Sequence, residues 1–385
     1  MKPRILFILH LPPPVHGAAM VGKYIRDSWR INEAFDCHYI NLATAKDLTD
    51  IGKVGWKKLV RFAGLLHAIR REVKALRPDL VYVTPNACGG AFYKDFVVVE
   101  MLKRMRCRVV AHYHNKGVKT HQDRRLDNRL YRRFFRNLKV VLLASTLYVD
   151  VQKYVGKASV FFCPNGLPET ADPEEKGKEE RTIPRILFLS NLIVGKGVLV
   201  LLDALRTLRR RGCRFRCDIV GGETAELNGE GLDAYLVGAG LNDCVYYAGR
   251  RYGEEKAAYW READVFVFPT FYANECFPLV NLEAMEWGLP IVTTDEGGIP
   301  DMVVDGENGL VVPCRWKNGT NQGPDPEELA DALERLLADE ALRRRMGENG
   351  HRRFETLFTL RAFEEKMTEA LTWALTENVH EGLVE

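Results

Sequence analysis

The chain has 385 residues, more than a single hydrophobic core comfortably serves, and length alone predicts two domains. Its 46% hydrophobic and 28% charged residues, with no low-complexity tract, exclude a fibrous or largely disordered protein. The net charge of +3 conceals an asymmetry: residues 1–170 hold 30 Lys and Arg against 13 Asp and Glu, while the remainder holds 25 against 39.

A basic half suits an anionic partner: a membrane surface, a nucleic acid, a phosphorylated substrate, or the acidic half of the same chain across a cleft. No apolar run reaches the roughly 18–20 residues that span a bilayer. The short apolar run at residues 5–11 is interrupted by His10 and followed by Pro12, Pro13 and Pro14, so it reads as a buried strand and not as a signal peptide. The nine cysteines are scattered without a CxxC pair. Cys213 and Cys217 are four apart but lack a partner pair for zinc. An odd number favours reduced thiols and a cytoplasmic setting.

In chain order, the first apolar strand covers residues 4–9, and an amphipathic helix follows over about 18–29. Further strands are expected at 37–42, 80–84, 108–113, 140–144 and 159–163, with helices between them. Strands alternating with helices predict a parallel sheet covered on both faces. Residues 168–184 are charged, flanked by proline and without apolar periodicity, which makes them the linker. A second series then begins afresh: strands at 185–189, 216–220, 245–248, 265–268, 291–293 and 310–312, again separated by helices. A final helix is expected at about 361–376. The domains are therefore placed at 1–167 and 185–360. Two open α/β sheets, each a doubly wound Rossmann-like domain, bind ligands at the carboxyl ends of their strands.

The chemistry concentrates after the strand at 265–268. Pro269 ends it, a polar loop follows, and Pro278 stands where its fixed φ and missing N–H suit a helix start. Leu279, Leu282, Met285 and Glu286 continue that helix to Gly288, with Pro290 just beyond. Backbone N–H groups from Cys276 and Phe277 through Leu279 thus lie at a helix N-terminus, where phosphate or sugar oxygens are favoured. Glu283, a turn further on among apolar neighbours, needs partners that ribose hydroxyls would supply. In the first half, His112 and His114 alternate on a strand and share one face, which raises metal binding, yet no third ligand with suitable spacing is evident. His112 reads equally as a core histidine. Gly17, between strand and helix, permits backbone approach to a phosphate or acceptor. The pattern around it is not the GxGxxG of a dinucleotide enzyme. Asn165-Gly166 reads as a turn that releases the chain into the linker.

Residues 263–265 (Ala-Asp-Val), 275–283 (Glu-Cys-Phe-Pro-Leu-Val-Asn-Leu-Glu), 288–292 (Gly-Leu-Pro-Ile-Val), 297–301 (Gly-Gly-Ile-Pro-Asp) and 305–310 (Asp-Gly-Glu-Asn-Gly-Leu) follow one another in that order. Together they resemble the signature of glycosyltransferase family 4, the group 1 glycosyl transferases of GT-B fold. That resemblance implies a retaining transferase using a nucleotide diphosphate-sugar, with no catalytic metal and no cofactor. It also implies that the last helix crosses back onto the first domain. By position, Glu283 is expected to bind ribose hydroxyls and Glu275 a hydroxyl of the donor sugar. The amides of Cys276 to Leu279 would hold sugar and diphosphate. Residues 190–197 (Ser-Asn-Leu-Ile-Val-Gly-Lys-Gly) resemble the family's phosphate-binding stretch, with Lys196 placed to neutralise the diphosphate and assist the leaving group. Asn191 stands where the family usually has Arg, and Pro278 where it usually has Gly, so one positive charge and one N–H donor are missing. His114 matches a histidine that faces the donor sugar in the family, and Gly17 matches its glycine loop. Glu275, His114 and Lys196 are the expected catalytic group.

The acceptor is expected to be a glycan intermediate, lipid-linked or polysaccharide. Residues 57–77 and 124–139 interleave apolar residues with Lys and Arg, as segments on anionic lipid do, or as core-facing helices with solvated basic faces do. The expectation is a cytoplasmic protein, peripheral on the inner face of the plasma membrane, with no nucleic-acid partner because no aromatic-basic recognition motif appears. The alternatives are a nucleotide-sugar epimerase of similar architecture, or a nucleotide-sugar-binding protein without activity.

Overall fold

The computed structural model describes residues 1–13, 17–42, 56–169, 183–317 and 319–376. The chain forms two compact units, one of Met1–Asn165 with Leu360–Glu385, the other of Gly166–Thr359. Most of the expected linker, residues 170–182, lies outside the described residues.

The first unit is built on a parallel sheet of β1 (Arg4–Leu9), β2 (Asp36–Asn41), β3 (Leu80–Val83), β4 (Val109–Tyr113), β5 (Lys139–Leu142) and β6 (Val160–Phe162), in the order β2-β1-β3-β4-β5-β6. Alternation along a strand sends successive side chains to opposite faces. In β1, Leu6 and Ile8 accordingly join one core cluster, whereas Ile5, Phe7 and Leu9 join the other. The second cluster is completed from the far end of the chain. The helix Leu360–Leu375 contributes Phe363, Met367, Ala370, Leu371 and Ala374, spaced three or four apart on one face. Its C-terminus is tied down by Lys139, whose Nζ donates to the carbonyls of Trp373 at 2.7 Å and Thr376 at 3.0 Å. The same ammonium lies 4.7 Å from the Trp373 ring centre. A cation at a helix C-terminus satisfies carbonyls that no later turn can reach.

The structure divides the first expected helix in two. Gly17–Asp27 ends early, and Ser28 starts a new helix, Trp29–Ala34, by accepting the Ile31 N–H on its Oγ at 3.2 Å. Ser prefers this capping role to a helix interior. The basic segments also resolve differently from a lipid-facing reading. In the helix Trp56–Leu76, Ile69 and Val73 are buried, and Phe62, Leu66 and Leu76 pack against their cluster. The side chains of Lys57, Lys58 and Leu59 lie outside the described residues. In 124–139, Tyr131, Phe134 and Phe135 are buried and Leu130 packs beside them, leaving Leu126 exposed. The apolar stripes face the core, and what remains outside is mainly charge.

The second unit repeats the plan with β7 (Arg185–Leu189), β8 (Arg216–Val220), β9 (Val245–Gly249), β10 (Val265–Phe268), β11 (Ile291–Thr294) and β12 (Gly309–Val312), ordered β12-β11-β10-β7-β8-β9. β7 therefore sits between β10 and β8, and the chain leaves it in opposite directions. That is the switch point where open parallel sheets bind ligands.

Because Lys139 is buried and makes three contacts at the end of the last helix, Lys139→Ala should lower the unfolding free energy by about 2 kcal/mol. Denaturant unfolding followed by the fluorescence of Trp373 checks this, and an unchanged midpoint would show that the helix is held by its apolar face alone.

Candidate active site

At the switch point, the loops after β7 and β10 are joined by backbone before any side chain meets. The Gly195 carbonyl accepts the Phe271 N–H at 2.8 Å. Gly197 has φ +89, and a Cβ there would stand 2.1 Å from the Pro269 carbonyl oxygen, so only glycine fits. This closeness brings Lys196, in a short 3-10 turn over Val194–Lys196, against the β10 loop. Its Nζ donates to Glu275 Oε2 at 2.5 Å and lies 4.9 Å from the Tyr272 ring centre. The Thr270 hydroxyl donates to the same carboxylate oxygen at 3.3 Å. Glu275 is buried, so an ammonium and a hydroxyl balance a carboxylate that would otherwise be costly there.

Glu275 leads directly into the next element. Cys276, Phe277 and Pro278 are buried, and Pro278 forms the N-cap of the helix Leu279–Glu286 with φ −68 and ψ 116. No side chain caps this helix; the Asn281 N–H donates to the Pro278 carbonyl at 3.1 Å, which leaves the amides of Leu279 and Val280 to meet an external acceptor. The Phe277 ring rests edge-on against Phe358, and the Cys276 carbonyl accepts the Gly298 N–H at 2.7 Å. Gly297, at φ +61, would place a Cβ 2.4 Å from the Glu275 carbonyl oxygen. Helix start and carboxylate are thus fixed by neighbours that admit no larger residue.

Glu283, further along the helix, is half-buried and pairs with Lys256 of the helix Gly253–Glu262 at 2.5 Å. Burial raises its carboxyl above the ordinary value of 4.5, against the lowering influence of Lys256. Lys256 was not singled out from the sequence, because no motif ties a lysine in one helix to a glutamate in another. Asn281, on the same helix, is fully buried, and neither its Oδ1 nor its Nδ2 has a hydrogen-bond partner among the described residues. Asn191 takes a structural part: its Oδ1 accepts the Gly222 N–H at 3.1 Å and ties the β7 loop to the β8 loop. That leaves its Nδ2 group as the donor.

Glu275, Lys196, Asn191, Cys276, Phe277, Pro278, Leu279 and Glu283 are therefore all carried on the second unit, on the loops at the carboxyl ends of β7 and β10 and the helix that follows. Gly17 and His114 belong to the first unit. Gly17 begins the helix Gly17–Asp27, and a Cβ there would meet nothing within 4 Å. The glycine demanded by packing is Gly22, where a Cβ would come within 2.1 Å of the His10 carbonyl oxygen. His114 follows β4, its ring 4.3 Å from that of His112. His112 is fully buried, its Nδ1 2.7 Å from the Tyr82 hydroxyl, and burial with His114 nearby pushes its pKa well below 6.5. Among the described residues no group of three His, Cys, Asp or Glu is arranged to hold a metal ion.

A carboxyl held above its unfolded pKa contributes stability below that value and loses it as pH rises through the folded one. Glu283→Gln removes this dependence. The variant should therefore gain in Tm relative to the parent as pH is raised from 4.5 toward neutrality. A difference that stays constant across thermal melts in this range would contradict the burial of a charged carboxylate.

Residues 183–339 match the family model described as Glycosyl transferases group 1. A D-inositol 3-phosphate glycosyltransferase of Corynebacterium jeikeium is 35% identical over 182 residues, which is 45% of this chain and 41% of that protein. The amylovoran biosynthesis glycosyltransferase AmsK of Erwinia amylovora is 33% identical over 161 residues, 41% of this chain and 37% of the relative. The matches thus span less than half the length of these relatives. Among solved structures, Anabaena Alr3699/HepE in complex with UDP superposes with a TM-score of 0.72 at 18% identity, covering 96% of this chain and 99% of the other. Sucrose-phosphate synthase from Thermosynechococcus elongatus gives 0.70 at 20%, covering 96% and 98%. At these identities the structural likeness is one of fold. Over residues 183–339 the chain is thus similar to the group 1 glycosyltransferases, and its two Rossmann-like units have the GT-B fold of these solved structures.

Proposed function

We propose that the protein is a retaining glycosyltransferase that moves a sugar from a nucleotide diphosphate-sugar to a hydroxyl acceptor. The observation that carries this reading is the Lys196–Glu275 pair, set at the switch point of the second sheet beside an uncapped helix N-terminus. Each part answers one demand of the reaction. The diphosphate gains one negative charge as it leaves, and Lys196 with the first-turn amides meets it without a metal ion. Glu275 accepts from a hydroxyl of the sugar and holds Lys196 in place until the donor arrives. Glu283 accepts from the ribose hydroxyls, whose donors suit a half-buried carboxylate.

In the chemical step the bond from the anomeric carbon to the diphosphate oxygen breaks. The acceptor oxygen bonds to that carbon on the same face, and its proton passes to the departing phosphate. The site needs no nucleophilic side chain for this, only positioning and charge stabilisation. Complexes of Alr3699/HepE with UDP and with UDP-glucose make a uridine diphosphate-sugar the first donor to test. Relatives named for amylovoran and capsular polysaccharide biosynthesis support a glycan acceptor, carried on a lipid or a growing polysaccharide. The basic first unit supports a cytoplasmic enzyme held at an anionic membrane surface by charge.

Glu283→Ala removes the acceptor of two hydroxyl donors, and UDP-glucose affinity by calorimetry should fall by about 10–100-fold. Unchanged affinity would sink the site assignment. Lys196→Ala should lower kcat by roughly 10²–10³-fold with a smaller change in KM, because its charge acts mainly on the leaving group. A change confined to KM would place Lys196 in ground-state binding. Vesicles of phosphatidylglycerol should carry the protein upward in flotation at low salt and release it as salt is raised; absence of binding removes the membrane partner.

A further inference from the structure

Part of the first unit's positive charge gathers in one place. A groove of about 1070 Å³ opens at the N-terminal ends of β4 and β5, between Arg108, just before β4, and Asn137, just before β5. Arg129, Arg132, Arg133 and Arg136 line it from the helix Arg125–Phe134 and the turn beyond. Their spacing of three, one and three puts them on one side of the helix. Lys103 and Arg106 line it from the end of the helix Gly89–Arg104 and the following turn, and Glu100 is the carboxylate among them.

Some of this charge serves the fold. Arg133 pairs with Glu100 at 2.5 Å, Lys103 donates to the Arg133 carbonyl at 3.0 Å, and Arg108 donates to the Leu375 carbonyl. Arg106, Arg129 and Arg136 have no carboxylate partner among the described residues, and all three are exposed. Lys103 is pushed down to about 8, chiefly by burial; Glu100 opposes the shift, and Arg136 and Arg133 contribute to it. A concave cluster of guanidinium groups with so little internal compensation is relieved by an anion, and the planar fork of Arg matches phosphate oxygens two at a time. The groove also lies at the end of the sheet opposite to that of His114, which follows the carboxyl end of β4. It is therefore apart from the strand ends where an open α/β sheet takes its substrates.

We propose that this groove is a second ligand site, distinct from the donor site, for an anion bearing two or more phosphate groups, either free or as a lipid headgroup. It goes beyond the glycosyltransferase reading and does not depend on which donor is used. The test uses the Lys196→Ala protein, so that phosphate uptake at the donor site is suppressed, and inorganic triphosphate as probe. Calorimetry at low salt should show binding, and Arg129→Gln/Arg132→Gln/Arg136→Gln should weaken it by about tenfold or more. Tm should be unchanged, since the three side chains are exposed. No binding in the parent, or equal binding in the triple variant, overturns the proposal. Replacing the same three residues by Lys keeps the charge and loses the fork; wild-type affinity there would reduce the effect to diffuse attraction and overturn a shaped site. Flotation with cardiolipin vesicles identifies the source. Binding that triphosphate competes away, and that the Gln variant loses, assigns a lipid headgroup; triphosphate binding without flotation assigns a soluble anion. A failed donor assay leaves these outcomes intact, because they are read with a different ligand on a different unit.

Discussion

The contact on which the second unit's chemistry depends is the backbone approach of the β7 loop to the β10 loop. Gly197 against the Pro269 carbonyl, and Gly221 whose Cβ would lie 1.7 Å from the Ser190 oxygen, allow loops from neighbouring strands to touch without intervening side chains. Only that closeness lets Lys196 reach Glu275. Since the carboxylate is buried, removal of the ammonium would leave a charge without compensation, and the loop would have to move. The ion pair is best seen as a device that holds both side chains in position.

Much of this was legible in the residues. The strands at 185–189 and 265–268 match the sequence reading because each is a short, mainly apolar run followed by a polar or proline-led turn; that at 216–220 matches too, although Arg216 and Asp218 interrupt its apolar character. The helix start at Pro278 was legible for the same reason, as proline is informative about its own position. The division at Ser28 was harder to see, since the apolar periodicity continues across it and only the cap reveals the break. Gly17 drew attention as a loop glycine, whereas the glycine that packing requires is Gly22, inside the helix, and its partner is a backbone carbonyl that no side-chain pattern encodes. Lys256 was missed because a pairing between residues far apart in sequence leaves no local trace.

The charge asymmetry takes a more specific meaning from the fold. In the helices over 56–76 and 125–134 the apolar residues that suggested lipid contact are largely part of the core. On these two segments Val60 and Leu126 are the large apolar side chains left exposed among the described residues, and the rest of the outer surface is mainly charged. The arginines are also not spread uniformly, and their concentration at the N-terminal ends of β4 and β5 separates them from the candidate chemistry.

The helix Leu360–Leu375 has a consequence for how the molecule is made. The second unit is continuous in sequence, whereas the first needs Phe363, Met367 and Leu371 to complete one of its two cores. During synthesis from the N-terminus, the second unit can close as soon as residue 359 is free, but the first must wait with an apolar face uncovered. The segment made first is thus the last to be finished, and Lys139 holds the bond donors that secure the final turn. A chain interrupted shortly before that helix would contain a complete second unit attached to an unfinished first one.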